Sequence, residues 1–161
     1  MLGKLRNMTS IYLVNNDNIL LLYRQGSRVV NDVWIGSAGG HFEENELNDS
    51  RACVLREMQE ELGITEDDIE GLSLRYITLR RTKGEVRQNY YYFAHTKSNI
   101  DLVSNEGKLK WFSMNELREL KMPYTAQYVM EHYLDKGRFT TEMYVGVATG
   151  EKIAFMQFPE S

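Results

Sequence analysis

Two runs rich in aliphatic, β-branched and aromatic residues, Met8 to Val14 and Asn18 to Arg24, flank the polar turn Asn15-Asn16-Asp17 and predict a β-hairpin. A short extended run follows at Trp34 to Ala38 and ends on Gly39-Gly40. From Ser50 to Leu62 the period changes. Leu55, Met58 and Leu62 fall at i, i+3 and i+7, which predicts a helix with Asp49 or Ser50 as N-cap and Gly63 as its stop. Leu72–Arg81 and Val86–His95 read as a second hairpin around Thr82-Lys83-Gly84-Glu85. In its second strand Tyr90-Tyr91-Tyr92-Phe93 should send two rings to each face. A strand is expected at Lys108 to Phe112, then a helix opened by the capping-box pattern Ser113-Met114-Asn115-Glu116. Another helix should run from about Thr125 to Lys136, stopped by Gly137. Phe139–Thr149 and Lys152–Phe158 look like a last hairpin turning at Gly150-Glu151. Strands and helices alternate without a linker, repeat or composition break. The reading is one mixed α/β (α+β) domain over 1–161, with the C-terminal helix and hairpin (about 124–158) as part of it.

Composition narrows the class. A chain of 161 residues, 42% hydrophobic and 26% charged, is large enough for a real core. The net charge of −4 argues against stable nucleic-acid binding. No intrachain disulfide can form with Cys53 as the one cysteine, which suits a reducing cytosol. The N-terminus has no apolar signal-peptide core, and the aliphatic run Ile19–Leu22 is far too short to span a bilayer. A cytoplasmic protein without a membrane partner, monomeric or homodimeric, is expected.

The chemistry concentrates on the first helix. Glu57, Glu60 and Glu61 stand at i, i+3 and i+4, so their Cβ atoms lie roughly 5–6 Å apart on one face. At an effective dielectric of about 20, each like-charge pair costs on the order of 3 kcal/mol. A helix tolerates this when the side chains splay into water or when a divalent cation neutralises them. Hard oxygen ligands suit Mg²⁺ or Mn²⁺, and metal-assisted attack of water on a phosphate is the chemistry that follows. Taken alone, such an acidic run is more often a solvated face. Cys53, without an evident base, reads as packing; His95 and His132 read as structural, and His41 after the glycine turn as structural or solvent-facing, with a phosphate contact as its alternative.

The pattern around these glutamates reverses the bland reading. Gly40 and Glu46, then Arg56-Glu57-Met58-Gln59-Glu60-Glu61-Leu62-Gly63-Ile64, resemble the Nudix box, the signature of hydrolases that cleave nucleoside diphosphates linked to another moiety. The flanks are similar too: Arg24 ends a strand before the box, and Trp34 precedes the double glycine. Glu106-Gly107, Lys110-Trp111-Phe112 and Glu116-Leu117 look like the family's closing pattern, so the resemblance covers roughly three quarters of the chain. Two features depart from it. Nine residues separate Glu46 from Arg56 where the family has seven, which leaves Glu43, Glu44 and Asn48 as alternatives to Glu46. Ala38 stands where the Pro-Gly-Gly version of the turn has proline.

The resemblance implies an α/β/α sandwich around a mixed β-sheet and a Mg²⁺-dependent (or Mn²⁺-dependent) phosphoanhydride hydrolase. It implies metal ligation by Glu57, Glu60, Glu61, Glu106 and the Gly39 carbonyl, with Glu57 as ligand, general base or both and Glu106 as a distal ligand or alternative base. Arg56 would hold the carboxylates by ion pairing rather than touch substrate. Arg24 is the first candidate for substrate phosphate, with Arg28, Arg80, Arg81 and Arg87 behind it. Gly40 admits the substrate, and Trp34, Tyr90, Tyr92 or Tyr124 would supply an aromatic wall for a base. The expected substrate is a nucleoside triphosphate, an oxidised one such as 8-oxo-dGTP included, cleaved to monophosphate and pyrophosphate. A hydrolase of ADP-ribose or a nucleotide sugar is the alternative, and a non-catalytic nucleotide-binding regulator is the reading from another class. Leu79 and Arg80 stand where ADP-ribose hydrolases often carry a proline.

Overall fold

A computed structural model describes residues 2–24 and 32–161. Nine strands form one sheet: β1 (Lys4–Asn15), β2 (Asn18–Arg24), β3 (Val33–Ile35), β4 (Ala38–His41), β5 (Ile69–Thr82), β6 (Glu85–Thr96), β7 (Lys108–Ser113), β8 (Tyr144–Ala148) and β9 (Ile153–Gln157). Two helices, α1 (Ser50–Leu62) and α2 (Tyr124–Asp135), and four short 3₁₀ turns complete the regular elements among the described residues. The strand order is β3-β2-β1-β6-β5-β8-β9, with β4 also paired to β1 and β7 to β2. The β1–β6 and β5–β8 pairs are parallel and the rest antiparallel, so the sheet is mixed as expected.

Because a helix covers each face, the central strands read as continuous apolar runs rather than alternating ones. Tyr12, Val14, Ile19 and Leu21 pack beneath Val129, Met130 and Tyr133 of α2. Ile11, Leu13 and Leu20 point the other way, onto Val54, Met58 and Leu62 of α1. The aromatic run of β6 divides as predicted: Tyr91 and Phe93 join the α2 layer, Tyr90 and Tyr92 the α1 layer. No helix among the described residues is long and apolar enough to cross a membrane.

Several predicted elements change on folding. The run from Trp34 to Ala38 is cut in two at Gly36-Ser37, β3 pairing with β2 and β4 with β1. Buried Ser37 holds the junction: its hydroxyl donates to the Leu20 carbonyl at 2.5 Å and accepts from the Leu13 N–H at 3.0 Å. Beyond this plug β1 and β2 no longer pair, since their register covers only Leu13–Asn15 against Asn18–Leu20. The sheet opens there. The segment after Ser113 is a 3₁₀ turn over Met114–Glu119 rather than an α-helix, because Pro123 follows closely and buried Leu117 pins it to the core. The segment Phe139–Thr149 becomes a strand only from Tyr144; ahead of it, Arg75 ties down the carbonyls of Gly137, Thr140 and Glu142. Strand β1 starts at Lys4, earlier than its polar residues suggested, because its first half has β6 as a parallel partner.

Candidate active site

The helix that carries the glutamates is set by local chemistry. Asp49 caps it, accepting from the Ala52 N–H at 3.0 Å, and Gly63 ends it in the left-handed region with φ of 70°. Cys53, Val54, Met58 and Leu62 form the buried face; Leu55, expected there, is only partly buried because Val54 takes the inner position. Cys53 packs against Thr9, and burial pushes its thiol up to about 11, which rules out a ready nucleophile.

Arg56 organises the carboxylates around it. Its Nε and Nη2 donate to Glu46 Oε2 and Oε1 at 2.7 and 2.9 Å, a bidentate grip, while Nη1 lies 3.1 Å from Glu57 Oε1 and 3.0 Å from Glu60 Oε2. Glu43 adds a further ion pair at 3.1 Å. Among the four loop candidates, Glu46 is therefore the residue that answers to Arg56. It is 4% exposed, and the guanidinium hydrogen bonds hold its carboxyl down at about 2. A 3₁₀ turn over Glu44–Glu46, closed by reciprocal bonds between Glu43 and Glu46, takes up the longer loop.

Glu57 and Glu61, one turn apart, converge on the glycine strand. Glu61 Oε2 accepts from the Gly39 N–H at 3.1 Å. A Cβ on Gly40 would stand 2.5 Å from Glu57 Oε1, so the second glycine makes room for that carboxylate. Burial pushes Glu61 up to about 7. The Gly39 N–H opposes this, and the charges of Glu57 and Glu106 add to it. Glu57 is also raised, again by burial first. Glu60 differs: its side chain is 57% exposed and turned toward Arg56.

Hard oxygen donors, mutual repulsion and a raised carboxyl are what a divalent cation would relieve, so the donor set fits one. Among the described residues no three acidic, histidine or cysteine side chains converge into a ready-made cage, since Glu60 bonds Arg56 and Glu61 bonds the Gly39 N–H.

A cleft of about 290 Å³ opens where β1 and β2 part. Glu61, Gly39 and Gly40 form one end; Arg24, His41, Arg80 and Arg87 line it, and Tyr124 at the start of α2 closes one wall. Arg24 and Tyr124 thus line the cleft, whereas Arg81 is not among its lining residues. Arg28 lies outside the described residues. Trp34 is not a cleft residue: it packs on Tyr23 and Phe112, with ring centroids 4.9 and 4.6 Å away. Tyr90 and Tyr92 are absent from the wall because their strand alternation sends them to the α1 layer. His41, read as structural or solvent-facing, borders the cleft, and its imidazole is held below the usual range by burial first and then by Arg6 and Arg87. Asn89 escaped the sequence reading altogether. Its Oδ1 and the Tyr124 hydroxyl are buried without a partner among the described residues, and both residues line the cleft. A polar residue alternating with buried rings along β6 was the available signal.

Comparison with known proteins agrees with this geometry. The NUDIX domain family model matches residues 4–133. Among solved structures, the chain is similar to the mutator MutT protein from Bacillus halodurans, with 23% identity, a TM-score of 0.64 and coverage of 97% of this chain and 99% of that one. It is also similar to the MutT NUDIX hydrolase from Burkholderia pseudomallei (23% identity, TM-score 0.63, 80% and 98% covered). A NUDIX hydrolase from Nitrosomonas europaea aligns with 14% identity, a TM-score of 0.68 and 92% and 81% covered. No curated protein matches. With its family model running from β1 through the glutamate helix and into α2, this chain belongs to the Nudix family.

Proposed function

We propose that this Nudix hydrolase cleaves a phosphoanhydride of a nucleoside triphosphate, releasing monophosphate and pyrophosphate, with Mg²⁺ or Mn²⁺ as cofactor. The observation that carries the reading is the Glu57–Glu61 pair, both raised in pKa and set against Gly40 and Gly39, with Glu61 lining the cleft beside them. A divalent cation would supply charge neutralisation and water-activating chemistry there. Glu57, Glu60 and Glu61 would hold it, with Glu106 nearby; Glu57 or Glu106, whichever is not spent on the cation, accepts the proton of the attacking water. Arg56 keeps Glu57 in place and leaves the substrate alone. Arg24 offsets charge gathering on the phosphoryl oxygens, and Tyr124 stacks on the base.

An oxidised purine nucleotide such as 8-oxo-dGTP is the first substrate to test, because the single domain and the order of its motifs are MutT-like. The experiment is product analysis over a panel of normal and oxidised nucleotides, ADP-ribose and nucleotide sugars, in Mg²⁺ and in EDTA. Metal-dependent monophosphate and pyrophosphate from a triphosphate, lost in Glu61→Gln, is the expected result. Cleavage confined to ADP-ribose or a nucleotide sugar would overturn the substrate class. Binding without any turnover would make the protein a regulator.

A further inference from the structure

Three arginines lie directly opposite one another on adjacent strands. Arg6 of β1 pairs in register with Arg87 of β6, and Arg87 pairs with Arg80 of β5. Partners in register share a face, here the one that carries Tyr76 and Tyr91 under α2 a few residues on. Like charges placed opposite across strands destabilise a sheet. One carboxylate answers them: Glu85, 3.7 Å from Arg6 Nε and 3.2 Å from Arg87 Nε. Arg80 has no acidic partner among the described residues. Its guanidinium sits 4.7 Å from the centre of the Tyr124 ring, and the hydroxyl of that tyrosine is buried with no partner among the described residues. On a chain of net charge −4, three guanidinium groups against one carboxylate form a concentrated positive spot.

The spot is remote from the glutamates. Glu61 sits beside Gly39, which pairs with Ser10; Arg6 is four residues back along β1, about 13 Å at ~3.3 Å per residue. One phosphate group does not span that distance. Arg80, Arg87 and Tyr124 all open onto the cleft and offer only donors or donor-capable groups. Asn89, one rung nearer, presents an unpartnered acceptor, which repels an anion and suits an O–H or N–H beside it.

We propose that this arginine row is a second anion subsite, taking a phosphate monoester carried by the part of the substrate that is not cleaved. The proposal rests on the Glu57–Glu61 end being the hydrolytic centre. Substrates with a second phosphate beyond the sugar or base are then preferred over plain nucleotides, because the distal phosphate gains charge-assisted hydrogen bonds from Arg80 and Arg87.

The test is calorimetry in EDTA with inorganic phosphate, then with adenosine 5′-monophosphate and adenosine 3′,5′-bisphosphate, on wild type, Arg80→Ala, Arg87→Ala and Glu61→Gln. Phosphate should bind without metal, equally well to wild type and Glu61→Gln, and at least tenfold more weakly to each arginine variant. The bisphosphate should bind about tenfold tighter than the monophosphate, and that advantage should vanish in both arginine variants. Thermal melting of those variants should hold or rise, since cross-strand repulsion is relieved, which separates a lost site from a lost fold. Unchanged phosphate affinity in Arg80→Ala and Arg87→Ala, or no binding in EDTA, would overturn the subsite. Absence of hydrolysis in Mg²⁺ with phosphate binding intact would instead overturn only the hydrolase reading.

Discussion

Arg56 grips Glu46 through two parallel hydrogen bonds of 2.7 and 2.9 Å, joining the middle of α1 to a loop that is two residues longer than the family pattern. The same guanidinium reaches Glu57 and Glu60 with its other nitrogen. Glu46 thus never needs to touch substrate to matter. It fixes the guanidinium that in turn holds Glu57, the carboxylate proposed above to act on the substrate.

Replacing Glu46 by alanine should therefore cost both stability and rate. Removing one partner of a buried pair leaves the other uncompensated, and the low end of the usual range, roughly 3 kcal/mol, applies because Glu43, Glu57 and Glu60 remain around Arg56. Urea unfolding should show that loss, and turnover should fall with little change in KM.

Two carboxyls give opposite pH signatures. Glu46 titrates at about 2 in the fold against an ordinary 4.5, so its stabilisation is full above pH 4.5 and lost as pH falls toward 2. Glu61 titrates at about 7, so the metal-free fold binds its proton more tightly than the unfolded chain does. That contribution is full below pH 4.5 and lost as pH rises through 7. Melting temperature in EDTA should drop between pH 5 and 8 as scanned. Added Mg²⁺ should cancel the drop, with affinity rising up to about pH 7 and then levelling.

The three helix glutamates should not behave alike. Glu57→Gln and Glu61→Gln should each lower kcat by about 10²–10⁴-fold with the fold intact. Glu60 is exposed and already engaged by Arg56, so Glu60→Gln should raise the Mg²⁺ needed for half-maximal rate more than it lowers the saturated rate. Metal titrations of initial velocity decide this. A full loss of saturated rate in Glu60→Gln would place it with the other two.

The paired glycines should fail in different ways. In Gly40→Ala the new methyl meets the flexible end of Glu57, so kcat should fall while melting temperature barely moves. In Gly39→Ala it meets the backbone carbonyl of Thr9, which cannot swing aside, so the β1–β4 pairing itself should weaken. Circular-dichroism melts beside kinetics separate the two.

Helix α1 was legible in the chain because everything that makes it is local. Its cap Asp49, its stop Gly63 and the spacing of its glutamates lie within fifteen residues, and the box around them carried the family. The hairpin strands and the division of the Tyr90–Phe93 rings were legible for the same reason, since a period of two needs no distant partner. Distance decided the rest. The two glycines share a strand that breaks from β3 because buried Ser37 satisfies two separate backbones. Trp34 left the expected site because the break turned it onto Tyr23 and Phe112. Of the four acidic or amide loop residues, Arg56 selected Glu46 through a buried bidentate geometry that spacing cannot rank. Arg80 and Arg87 face each other across the local β5–β6 hairpin, but Arg6 stands far upstream in the chain and joins them only because β1 pairs with β6 in that register. Backbone propensity and side-chain period act over one or two turns, and the sequence determined those features alone. Which strands pair, and which charges then face each other, follows from burying two helix faces on one sheet, and only the tertiary structure decides it.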